Sequence, residues 1–124
     1  MNPDLMPSVL TQDIGDVDLS YLLYEGDGPT LILMHATGFL PWLWHPIARK
    51  LAPSWRIIAP YFCDHRQTDP EKGGLDWMTI AKDLAVFGDR LGIKKASLVG
   101  HSMGATVLML SHAAFGLDAQ GIIM

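Results

Sequence analysis

Apolar positions along this chain fall into two kinds of segment, short continuous runs and longer stretches with helical spacing. Thr30 to Met34, Arg56 to Ala59 and Ala96 to Val99 are compact, largely apolar runs, the pattern of parallel strands covered on both faces. Val17 to Tyr24 alternates instead, as a strand near a sheet edge does. Trp44, Ile47, Ala48 and Leu51 follow helical spacing, with Pro46 tolerated in the first turn. The clearest helix carries one stripe of Trp77, Ile80, Leu84, Phe87 and Leu91, with Asp76 placed to cap its start and Gly92 just past its end. From Ala105 to about Phe115 a further helix is apolar on most sides, which predicts a central position. Gly121 to Met124 opens another strand.

Gly26 to Pro29 marks a turn, residues 61 to 75 a polar loop, and residues 1 to 14, with Pro3 and Pro7, a loose lead-in. Strands alternating with helices predict an α/β fold, a mainly parallel sheet with helices on both faces. At 124 residues the chain reads as a single domain, with no repeat or interdomain linker.

Charge narrows the range of functions. Residues 1 to 48 hold six acids and no Lys or Arg, and the net charge is −4. The longest basic cluster is the pair Lys94-Lys95, so no nucleic-acid partner is expected. No run approaches the ~18 apolar residues of a membrane span, and the N-terminus lacks the basic start of a secretory signal. The one cysteine, Cys63, excludes an internal disulfide, and a cytoplasmic location is expected. No spacing among the histidines and acids suggests a metal site, and there is neither a G-x-G-x-x-G nor a Walker-type loop, so no cofactor is expected.

One motif carries chemistry. Gly100-His101-Ser102-Met103-Gly104 reads G-x-S-x-G between an apolar strand and an apolar helix. In that context it is the pattern of a nucleophile elbow, a turn so sharp that the serine oxygen stands above the sheet. The glycines let the backbone approach itself closely.

Together with other motifs in the same order, this makes the chain resemble the N-terminal half of an α/β-hydrolase over about residues 15 to 124. Leu31 to Phe39 resembles the family's third strand and its His-Gly oxyanion motif, with Ala36 where glycine is usual. Trp44 matches a tryptophan at the start of the following helix, Ile57-Ile58-Ala59-Pro60 the fourth strand, Val99 to Ala105 the elbow, and Gly121-Ile122-Ile123 the sixth strand. The stretch Tyr61 to Thr68 departs from the family's usual run, keeping only His65 in register and Thr68 as a hydroxyl.

The resemblance implies that Ser102 is the nucleophile, attacking an ester or related acyl carbonyl to form a covalent acyl-enzyme. The backbone N–H of Met103 and that of Thr37 would form the oxyanion hole. Serine at position 102 sets the chain apart from branches that open epoxides or displace halide, where aspartate is typical. The triad acid and histidine would follow the serine, and only 22 residues do so here. Asp118 comes too early, His112 caps or packs within its helix, and His101 points away from the pocket. His35 reads as a core histidine of the oxyanion loop and His45 as a surface residue at a helix start.

The implied protein is thus an incomplete α/β-hydrolase domain ending at about the sixth strand, inactive alone. Its expected partners are a small-molecule acyl substrate and a complementing C-terminal chain, or self-association through the exposed last strand. The alternative is a non-catalytic small-molecule-binding module, with Tyr61, Phe62 and the tryptophans lining an apolar site.

Overall fold

The computed structural model describes residues 6–35, 40–62 and 77–123. Six strands form one sheet: β1 (Ser8–Asp13), β2 (Asp18–Tyr24), β3 (Thr30–Met34), β4 (Arg56–Pro60), β5 (Ala96–Gly100) and β6 (Ala119–Ile123). A 3-10 turn (Pro41–Trp44) leads into α1 (His45–Leu51); α2 (Trp77–Arg90) and α3 (Met103–Phe115) are the longer helices. The spatial order is β1-β2-β4-β3-β5-β6, with β1 and β2 antiparallel to their neighbours and β4, β3, β5 and β6 mutually parallel.

Alternation along the strands splits the core in two. Leu22, Tyr24, Leu31, Leu33, Ile57 and Ala59 pack on one face against Ala48 and Ala52. Tyr21, Leu23, Ile32, Met34, Ile58 and Leu98 pack on the other against α2 and α3, through Ile80, Leu84, Phe87, Val107 and Leu108. This is the layered α/β architecture that the strand–helix alternation predicts.

Three expectations are corrected. Residues 8–13, taken within a loose lead-in, form β1, paired with β2 from Ser8↔Leu23 to Asp13↔Asp18. None of its six residues is buried, so ladder hydrogen bonds hold it and no apolar pattern announces it. Trp77, assigned to the buried stripe of α2, is exposed in its first turn. The helix read from Ala105 begins two residues earlier, at Met103, and its later half is more exposed than an apolar sequence suggests.

The two faces are covered unequally. Leu33, Val99 and Ile123 occupy one row across β3, β5 and β6. Leu33 is 2% exposed, Val99 half-buried and Ile123 67% exposed, so cover on the α1 side runs out towards β6. Connectivity does something else. β3 leads through α1 to β4 on one side, whereas β5 leads through α3 to β6 on the other. Since β3 and β5 are neighbours, their outgoing connections diverge and leave a crevice beyond their C-terminal ends, the usual ligand position in open α/β sheets.

Phe87 is fully buried and meets the Tyr21 ring edge-on, with centroids 5.2 Å apart. Phe87→Ala is expected to cost ~3–5 kcal/mol in urea unfolding. Phe115→Ala, at a partly exposed position, is expected to cost less than about 1 kcal/mol.

Candidate active site

Ser102 sits in that crevice, between the end of β5 and the start of α3. Its backbone has φ +56° and ψ −117°, a conformation that L-residues rarely adopt. The turn is held by main-chain bonds. The amide of His101 donates to the Met34 carbonyl at 3.1 Å, that of Gly104 to His101 at 3.0 Å, and that of Ala105 to Ser102 at 3.0 Å. The Ser102 side chain is exposed, as an elbow nucleophile requires.

The two glycines make the turn feasible. A Cβ on Gly100 would lie 2.6 Å from the Cα and N of Ala105. One on Gly104 would lie 2.5 Å from the Met34 carbonyl oxygen and 2.6 Å from that of His35. These neighbours are backbone and cannot swing aside. Glycine at 104 therefore lets the first turn of α3 press onto the end of β3, bringing the elbow against the segment that leads into the β3–α1 connection.

Met103 opens α3, so its amide lies at the positive end of the helix while its side chain enters the core. Thr37, expected as the second oxyanion donor, lies outside the described residues, as do Ala36, Cys63, His65, Thr68 and Asp76. His35 is described and buried, its ring packed on Phe62 with centroids 4.2 Å apart. Phe62 is thus a core residue in the face covered by α2 and α3.

Two further histidines among the described residues have structural partners. His112 Nδ1–H donates to the Leu117 carbonyl at 2.7 Å, closing the end of α3, as its sequence position suggests. His45 differs from its reading as a surface residue: it is half-buried, and its Nδ1 shares a 2.6 Å hydrogen bond with the Tyr24 hydroxyl. The Trp42 indole N–H likewise donates to the Tyr61 hydroxyl. No motif reveals these pairs, because their members lie about twenty residues apart on different elements.

An open cleft of about 450 Å³ lies elsewhere, between the C-terminal ends of α2 and α3, lined by Lys82, Val86, Ile93, Phe115 and Asp118. It is at the opposite end of the sheet from Ser102. Among the described residues no group of three or more His, Cys, Asp or Glu could hold a metal ion, and no helix is long and apolar enough to cross a membrane.

An exposed serine held in a strained strand-to-helix turn, at the point where a parallel sheet's connections diverge, defines an α/β protein with a sharp elbow at Ser102. Comparison with known proteins makes the assignment specific. The family model for the alpha/beta hydrolase fold matches residues 29–111, and the chain belongs to that family. It is 31% identical over 84 residues to an uncharacterized protein of Mycobacterium tuberculosis, covering 68% of this chain and 25% of the relative. It is 28% identical over 112 residues to the pyrrolizixenacetamide deacetylase of Xenorhabdus hominickii, covering 90% of this chain and 42% of that enzyme. The crystal structure of epoxide hydrolase A from Mycobacterium thermoresistibile superposes with a TM-score of 0.79 at 21% identity, covering 94% of this chain and 38% of the other. The chain thus spans a quarter to under half of the length of these relatives.

The backbone at Ser102 leads to one prediction. Glycine relieves a strain of ~1–3 kcal/mol but adds ~0.5–1 kcal/mol of unfolded-chain entropy, so Ser102→Gly is expected to stabilise the fold by about 1 kcal/mol. Ser102→Ala keeps the strain and should leave the urea midpoint near wild type. Tyr24 leads to another. Burial, with Tyr61 nearby, pushes its hydroxyl up to about 12 from 10.0. The folded state then keeps a proton that the unfolded chain loses, so this contribution is complete below pH 10 and is lost as pH rises towards 12. Unfolding titrations of Tyr24→Phe should lack that component of the alkaline slope.

Proposed function

We propose that Ser102 is the nucleophile of a serine hydrolase acting on ester or related acyl bonds, of which this chain supplies the N-terminal part. The observation that carries this reading is the exposed Ser102 at positive φ, with Gly104 seated on the main chain of β3. In the reaction Ser102 Oγ bonds to the acyl carbon while its proton passes to a histidine base and on to the leaving group. Water then cleaves the acyl-enzyme. The amides of Met103 and Thr37 would hold the oxyanion, each donor worth ~10²–10³ in rate.

The acid and histidine of the triad would come from the part of the fold beyond this chain, contributed by a complementing C-terminal portion. Two observations support that partner. The relatives are more than twice as long. The strand β6 also presents an edge without charge or proline, and its last residue, Ile123, is exposed. A cytoplasmic setting belongs to the same reading. The deacetylase among the relatives is in keeping with acyl chemistry.

Treatment of the complete enzyme with a fluorophosphonate is expected to label Ser102. Ser102→Ala should abolish labelling and lower turnover by ~10⁶, while the 124-residue chain alone retains at most the ~10³–10⁴ over water due to binding and the oxyanion hole. Equal labelling of wild type and Ser102→Ala would overturn the assignment.

A further inference from the structure

The chain returns from the β3–α1 connection at Leu40 and at once forms the 3-10 turn. Of the turn's four residues only Pro41 is fully buried; Trp42 and Trp44 pack half-buried against the Ala48 face of the core, and no side chain caps its start. Leu40 and Leu43 are both 49% exposed. Apolar packing of the two tryptophans is non-directional, so polar contacts are needed to fix the direction in which the turn lands.

Four polar aromatic side chains meet there. Trp42, from the turn, donates its indole N–H to the hydroxyl of Tyr61, just past the end of β4. His45, the first residue of α1, shares its 2.6 Å bond with the hydroxyl of Tyr24 on β2. The two pairs touch each other. The Trp42 and His45 rings meet edge-on with centroids 5.7 Å apart, and those of Tyr24 and His45 lie 5.8 Å apart. Tyr61–Trp42–His45–Tyr24 thus runs unbroken from the end of β4, across the turn and α1, to β2. Phenylalanine at 24 or 61 would fill nearly the same volume, so what the hydroxyls add is direction, the specifying role of a satisfied polar network.

We propose that this clasp positions the return leg of the β3–α1 connection, and that Trp42, Tyr61, His45 and Tyr24 are positioning residues for oxyanion stabilisation. The proposal rests on the acyl-transfer reading for its catalytic consequence, but not for its structural one. The opposite leg is fixed independently, where Gly104 sits against the Met34 and His35 carbonyls. Both ends of the connection are then held, one by main-chain packing and the other by side-chain hydrogen bonds.

Tyr61→Phe, which removes only the acceptor, tests both consequences. Amide hydrogen exchange in the full chain should quicken about 10-fold over Leu40 and 42–44, with β5 and α3 unchanged, since one hydrogen bond is lost locally. In the complete enzyme kcat should fall about 10-fold with KM within about twofold, the mark of a contact expressed in the transition state. Trp42→Phe should match it, and the double variant should be no worse than either single. Unchanged exchange at 42–44 overturns the clasp whatever the activity does. Faster exchange with unchanged kcat overturns the positioning role. Faster exchange in a protein whose wild type shows no Ser102-dependent turnover supports the clasp and instead removes the acyl-transfer reading.

Discussion

The absence of a side chain at position 104 is the constraint on which the rest of the site depends. The carbonyl oxygens of Met34 and His35 occupy the space that a Cβ would need. Because those atoms lie at the end of a central strand covered on both faces and in the residue that follows it, they cannot yield without disturbing β3 and its pairing with β4 and β5. The close approach lets α3 begin almost at the end of β5, and it forces Ser102 to complete the reversal from strand to helix in a single residue. Positive φ at Ser102 follows from that geometry.

Such a conformation persists only where surrounding structure over-determines it. Here the surroundings supply that constraint. Val107 and Leu108 bury α3 against the sheet, while the His101 amide ties the turn to β3. The helix cannot slide away to relax the serine without exposing that apolar surface, and burial at roughly 25 cal/mol per Å² outweighs a strain of a few kcal/mol. Exposure of the serine is thus bought by burial of the helix behind it.

Legibility in the sequence follows the same physics. β3, β4 and β5 were readable because strands covered on both faces need continuous apolar runs, and the elbow was readable because its glycines are sterically required. β1 was not, since a strand with no buried residue leaves no apolar signature. Trp77 misled because helical spacing says which residues share a face, not how far the core extends along it. Tyr24 and His45 were invisible as a pair for another reason: a hydrogen bond between side chains 21 positions apart leaves no trace in local pattern. Of the candidate site, the sharp turn that exposes Ser102 could be read from the chain, whereas the hydrogen bonds of the neighbouring turn could not.

The unequal cover of the sheet separates two requirements of acyl transfer. Aiming the serine depends on β3, β5 and α3, whose contacts lie at the sheet's centre and on the face that α2 and α3 cover. Supplying a base to accept the serine proton depends on a group reaching the same crevice. Among the described histidines, His112 is committed to the Leu117 carbonyl and His45 to Tyr24. The row from Leu33 through Val99 to Ile123 loses its cover on the opposite face, towards the edge formed by β6. Elements that close that face would approach β5 from the side α3 leaves open, and so could deliver a base without displacing the helix that aims the nucleophile. In the proposed hydrolase, the reactive oxygen is therefore placed by one set of contacts and activated by another, and loss of the second would leave the first intact.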